Sequence, residues 1–139
     1  MNDDPFAPAP SARKREARER TIELLYESEV RGITANELLD SQVIAPAELV
    51  RELVLGVTDD IERIDAEVDA YLHEGWSLDR LGILDLWILR LGIYELQSRQ
   101  LPVAVVINEA VELANRFGAT DESGAFINGV LGTAANDLQ

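Results

Sequence analysis

Residues 83–99, with the sequence ILDLWILRLGIYELQSR, constrain the fold more than any other part of the chain. Wound as an α-helix, this segment presents apolar side chains on nearly every side. Such a helix is stable only when other elements cover all of its faces. The segment therefore predicts the central helix of a helical bundle.

The preceding region has the pattern of an amphipathic helix. Apolar residues recur at steps of three and four over residues 46–73, which predicts one long helix with Gly56 as a weak point inside it. A shorter helix is predicted before it, because Thr34 and Glu37 have the spacing of a capping box.

The rest of the chain is also patterned as helix. No run alternates with the period of a strand, and no hairpin turn dipeptide is present. The three internal glycines of the last segment, residues 120–136, would lower helix stability but allow close helix–helix approach. The predicted fold class is all-α, with about six or seven helices. Further helical segments are expected at residues 12–31 and 102–118, with a short turn near residues 77–80.

Several kinds of chemistry are excluded by residue content. The chain has no cysteine, so disulfides, cysteine zinc sites and thiol nucleophiles are impossible. His73 is the only histidine, and the glycine-rich pattern of a phosphate loop is missing. The acidic run from Asp59 to Asp69 falls opposite the apolar stripe and is interpreted as a solvated face. We expect no catalytic residue, no cofactor and no metal site.

The N-terminal residues 1–11 are predicted to form a disordered tail, with Ser11 as the N-cap of the first helix and residues 12–139 as one domain. No stretch of about 18 apolar residues is present, so we expect no membrane span. The tail lacks the basic and apolar regions of a secretion signal, which predicts a cytoplasmic protein.

Basic charge is concentrated at one place in an acidic chain of net charge −14. Residues 11–20, SARKREARER, hold five basic and two acidic side chains, whereas residues 21–139 hold seven basic and 22 acidic ones. On a helix, Arg15 and Tyr26 share one stripe. Cations beside an aromatic ring are typical of sites for single-stranded nucleic acid. The alternative is an ordinary exposed helix with Tyr26 packed in the core.

Other aromatic residues leave two interpretations open. Phe126, between small residues near a predicted loop, is either a core residue or an exposed stacking residue. We interpret Trp76 and Trp87 as core or interface anchors rather than ligand contacts. Glu112 and Arg116 have the spacing of an ion pair on a helix surface.

Three segments together resemble the NusB family. They are INEAVELANRFGATDESGAFINGVLG near the C-terminus, GWSLDRLGILD with LRLGIYEL in the middle, and ARKREARERTIELLYESE at the start. The resemblance covers about residues 12–135. It implies two packed helical subdomains, residues 12–74 and 75–139. It also implies a non-enzymatic role in transcription antitermination.

Relatives of this kind bind single-stranded boxA RNA of ribosomal operons together with the ribosomal protein NusE, and the complex docks on RNA polymerase with the other Nus factors. Some relatives form homodimers. The resemblance also assigns residues to the two contacts. Those expected at RNA are Arg13, Lys14, Arg15, Arg18, Tyr26, Glu122, Ser123 and Phe126. Those expected at the protein partner are Tyr26, Asp85 and Arg90.

Two departures from the family pattern weaken the expected attraction to RNA: Ala125 stands where relatives can carry a basic residue, and Glu16 interrupts the basic run. A second interpretation is therefore a self-associating interaction module with weak or no RNA binding of its own. A methyltransferase, which can carry a similar helical domain, is not expected because no methyl-donor-binding α/β unit is present in the sequence.

Overall fold

The structure is a computed structural model that describes the backbone of residues 10–138 and the side chains of residues 12–138. Within that range it contains seven α-helices, one short 3₁₀ helix and no strand, which confirms the predicted all-α class. The elements are α1 (Pro10–Arg31), α2 (Ala35–Asp40), α3 (Glu48–Asp59), α4 (Ile61–Ala70), the 3₁₀ helix (Leu78–Arg80), α5 (Ile83–Ser98), α6 (Val103–Phe117) and α7 (Ser123–Leu138).

Helix α5 lies at the centre of the bundle, as its apolar sequence predicts. It contacts α1, α3, α4, α6 and α7, and Ile88, Leu89 and Ile93 are fully buried. Apolar side chains from both halves of the chain join it in one hydrophobic cluster. Removing this apolar surface from water is the main stabilising contribution to the fold.

The prediction of one long helix over residues 46–73 is wrong. The segment forms two helices, α3 and α4, because Asp60 between them has non-helical angles of φ −124° and ψ 26°. The Asp60 carboxylate accepts a hydrogen bond from Arg63 Nε at 2.9 Å and does not cap α4. Gly56, the expected weak point, lies inside α3, where a Cβ atom would overlap the ring of Tyr94.

The ends of the first two helices differ in how well the sequence predicts them. Helix α1 already includes Pro10 and Ser11, so Ser11 is not its N-cap; residues 1–9 of the predicted tail lie outside the described residues. Thr34 does cap α2, because its Oγ1 accepts the backbone N–H of Glu37 at 3.1 Å.

The glycines of α7 do not all serve close packing. An added Cβ atom at Gly124 would lie 3.0 Å from Asn115 Oδ1 on α6, in agreement with the expected close approach. Gly129 and Gly132 have open space around them, so the same expectation is wrong there. A close approach between α7 and the central helix depends on a glycine of α5, since a Cβ atom at Gly92 would lie 2.7 Å from a methyl group of buried Leu131.

Candidate nucleic-acid interface

The start of α1 presents two basic side chains to solvent, Arg13 and Lys14. Neither has an ion-pair partner among the residues that the structure describes. No carboxylate of residues 12–138 lies within 4.0 Å of either charge. They form the part of the predicted basic segment that is available to a phosphate group.

Arg15 is exposed but already paired. Its guanidinium donates to both carboxylate oxygens of Glu109 on α6, from Nη2 at 2.9 Å and from Nε at 3.1 Å. The hydrogen bonds from Arg15 lower the pKa of Glu109, and the same bonds raise the pKa of Arg15. A phosphate group would have to compete with Glu109 for this cation.

Arg18, which the family resemblance places at RNA, is buried in the structure. It is only 6% exposed, and its Nε and Nη2 donate to the two carboxylate oxygens of Glu95 at 2.8 and 2.9 Å. This forked pairing raises the pKa of Arg18, although burial opposes the effect. We therefore reassign Arg18 from a phosphate contact to an ion pair that joins α1 to the central helix.

Arg116 was predicted to pair with Glu112 on its own helix, and this prediction is wrong. Its Nη1 lies 2.7 Å from Glu19 on α1, and no ion pair with Glu112 forms. Its side chain remains well exposed. The pair ties the end of α6, and hence the loop that follows it, to the basic helix. No pattern within either helix predicts this contact, since the two residues are far apart in sequence.

Tyr26 lies on α1 with 40% of its surface exposed, so the alternative that placed it in the core is wrong. One turn further along α1, Glu29 lies 3.9 Å from Nη1 of Arg90. Arg90 donates two hydrogen bonds to the carboxylate of Asp65 on α4, from Nε at 2.6 Å and from Nη2 at 2.8 Å. Its guanidinium lies 4.4 Å from the ring centroid of Trp87. Arg90 thus joins α4 to α5, whereas Tyr26 remains open to a partner.

Asp85 is buried beneath the loop between α6 and α7, where it acts as a clamp. Its Oδ1 accepts the backbone N–H of Ala119 at 3.1 Å, and its Oδ2 accepts the hydroxyl of Ser123 at 3.0 Å. The Ser123 oxygen in turn accepts the N–H of Thr120 at 3.1 Å. Asp85 and Ser123 were expected at a protein partner and at RNA, respectively. The structure shows that both are buried and joined by a hydrogen bond that holds the loop.

The clamped loop leads into two exposed or partly exposed side chains at the start of α7. Glu122 is exposed, and its carbonyl accepts the N–H of Phe126 at 3.0 Å. Phe126 is half-buried, with its ring centroid 6.1 Å from that of Trp76. The helix start therefore sets where the Phe126 ring lies relative to the loop.

A groove of about 380 Å³ lies between this helix start and the 3₁₀ helix. Trp76 forms one wall and is half-exposed, with the guanidinium of Arg80 lying 6.0 Å from its ring. The sequence predicted that Trp76 is a core or interface anchor. The residue sits in a short segment without periodicity, where no pattern separates an exposed side chain from a buried one. Trp87, in contrast, is buried within α5 as expected.

The described residues give no sign of metal chemistry. Among them no group of His, Asp and Glu side chains is arranged to hold a metal ion, and the acidic run from Asp59 to Asp69 contains no fully buried carboxylate. Of the helices described, none combines the length and the apolar character needed to cross a lipid bilayer. The interface therefore consists of exposed cations, aromatic rings and a clamped loop.

Comparison with known proteins identifies the family. The sequence matches the NusB family model over residues 15–136. A transcription antitermination protein NusB from Saccharopolyspora erythraea is 43% identical over 129 residues, which cover 88% of this chain and 86% of the relative. The protein of the same name from Thermoanaerobacter sp. (strain X514) is 37% identical over 127 residues, which cover 88% and 89% of the two chains.

Solved structures agree with this match. NusB from T. maritima aligns with a TM-score of 0.79 and 32% identity, covering 94% of each chain. A structure described as NusB and NusE in complex with double-stranded RNA aligns with a TM-score of 0.74 and 28% identity, covering 89% of this chain and 96% of its own. The chain therefore belongs to the NusB family of transcription antitermination proteins, which are RNA-binding adaptors and not enzymes.

Proposed function

We propose that this chain is a cytoplasmic antitermination adaptor that binds boxA-type single-stranded RNA of ribosomal operons together with the ribosomal protein NusE. The observation that carries the proposal is the pair of exposed cations at the start of α1, Arg13 and Lys14, which form no ion pair with any described residue of a chain of net charge −14. Most of the surface repels phosphate, so RNA is attracted to this end of the molecule.

The ion pairs explain why a second protein is needed. Arg15 and Arg116 lie near the same surface, but each is held by a carboxylate, on Glu109 and Glu19 respectively. Few cations are left to contact phosphate groups directly, and each such contact adds only part of the affinity. NusE would supply the missing RNA surface. The solved complex of related NusB and NusE proteins with RNA supports this partnership.

The exposed side of α1 is the proposed site for NusE. Tyr26 and Val30, one turn apart, are both large exposed side chains on this helix. Burying them against a partner would remove apolar surface from water. Docking on RNA polymerase with other Nus factors completes the proposed role.

The same exposed pair, Tyr26 and Val30, favours a homodimer as the second candidate. In that arrangement another copy of the chain would cover α1 in place of NusE. The molar mass in solution, measured with and without NusE, separates the two: a dimer that NusE cannot dissociate favours self-association as the main role.

Replacing both Arg13 and Lys14 by alanine is expected to weaken binding to RNAs of any sequence and to flatten the salt dependence. Each lost contact with a single-stranded phosphate lowers the magnitude of the slope of log K against log salt by about 0.7. The slope measured for the double variant should therefore be smaller in magnitude by about 1.4. The measurement is RNA affinity at several salt concentrations in the presence of NusE.

The matched control is the double variant Arg31→Ala and Arg63→Ala, which removes the same charge from exposed sites away from the start of α1. An equal change of slope in both double variants would contradict direct contacts by Arg13 and Lys14. It would show that only the net charge of the protein matters.

A further inference from the structure

We propose that the groove between the 3₁₀ helix and the start of α7 holds one unstacked nucleobase of single-stranded RNA, which stacks on Trp76 beside Phe126. This inference rests on the proposed function and adds a second aromatic contact to it. The groove belongs to the same face as the clamped loop, but Trp76 lies on a different segment from every residue assigned to RNA by the sequence.

The shape of the groove suits a flat aromatic group. Its volume of about 380 Å³ falls in the range of small-ligand sites, roughly 300–1,000 Å³. The ring centroids of Trp76 and Phe126 lie 6.1 Å apart at an interplanar angle of 43°, so the two rings pack against each other and a base would stack on Trp76 rather than between the rings. Trp76 is 50% exposed. An indole left half in water beside a second ring provides the face on which a base can stack.

The charges around the groove favour a base over a phosphate group. The carboxylates of Asp85 and Glu122 line it and would repel an anion. Arg80, fixed by a 2.6 Å hydrogen bond to the Gly75 carbonyl, supplies a cation at the rim.

The groove is connected to α1 through the loop between α6 and α7, whose residues Ala119 and Thr120 line it. The loop that borders it begins just after Arg116, which bonds Glu19 on α1. Arg13 precedes Glu19 by six residues, which is about 9 Å along a helix.

The test combines protein variants with RNA that lacks single bases. Trp76→Ala should weaken binding of a boxA-like single strand, measured with NusE present, by about 5- to 150-fold, the loss of one base stack. Trp76→Phe should retain most of the affinity. Removing the base at one RNA position should weaken wild-type binding and abolish the effect of Trp76→Ala, because the two changes delete the same contact. Ile44→Ala, an exposed apolar residue on the α2–α3 loop, is the control and should bind as wild type.

Three results would overturn the proposal. One is a folded Trp76→Ala protein with unchanged RNA affinity, and another is a loss that adds to the effect of every abasic position. The third is a loss of NusE affinity without a loss of RNA affinity, which would mean that the groove takes a side chain of the protein partner. Failure of the wild-type chain to bind RNA even with NusE would instead reject the proposed function, and this inference with it.

Discussion

Arg18→Ala is expected to lower the free energy of unfolding by about 3–5 kcal/mol, because it leaves the buried carboxylate of Glu95 without its partner. Both side chains are nearly inaccessible, and two hydrogen bonds of 2.8 and 2.9 Å join them. Urea denaturation followed by circular dichroism measures the effect as a shift of the midpoint at constant slope.

The double variant Arg18→Met and Glu95→Leu distinguishes an unpaired charge from lost packing. Replacing a buried ion pair by apolar residues of similar size is often neutral or stabilising, so the double variant should recover most of the stability lost by Arg18→Ala. If Arg18→Ala costs less than about 1 kcal/mol, as for an exposed ion pair, and instead reduces RNA affinity, Arg18 is a phosphate ligand after all.

Removal of the clamp, by Asp85→Ala, is expected to have the second largest effect. It leaves the hydroxyl of Ser123 and the N–H of Ala119 without their charged acceptor, and hydrogen bonds to charged groups contribute about 1.5–3 kcal/mol each. The Thr120 N–H, held through Ser123, should loosen as well. We therefore expect faster amide hydrogen exchange at Ala119 and Thr120, together with weaker RNA binding.

The control for this variant is Asp121→Ala, which removes an exposed carboxylate from the same loop. It should leave amide protection at Ala119 unchanged. Normal protection in the Asp85→Ala protein, combined with a specific loss of NusE affinity, would restore the prediction from the sequence that Asp85 contacts the protein partner.

Periodicity within single helices allowed much of the fold to be predicted. The position of α5 at the centre follows from its apolar sides, and Thr34 identifies the start of α2 because capping is a local interaction. The break at Asp60 was missed because the apolar pattern continues across it. The local pattern also gave a wrong prediction at Gly129 and Gly132, where, among the described residues, no neighbouring helix packs against the glycine.

The candidate site was harder to predict because the exposure and pairing of its side chains depend on residues that are distant in sequence. Lys14 and Arg18 look equivalent on a helical projection, yet one is exposed and the other is buried against Glu95, 77 positions away. The exposure of Trp76 likewise depends on the fold around it. Family resemblance named residues in this region but did not separate side chains that hold the loop from side chains that face solvent.

The central claim is that the chain and NusE bind RNA together. It is tested most directly by the affinity of the chain for a boxA-like single strand, measured alone and with saturating NusE at two salt concentrations. We expect weak, salt-sensitive binding alone and tighter binding with NusE. By thermodynamic linkage, RNA must raise the affinity for NusE by the same factor. An RNA affinity that NusE leaves unchanged would contradict the claim, as would a homodimer that binds no RNA and that NusE cannot dissociate.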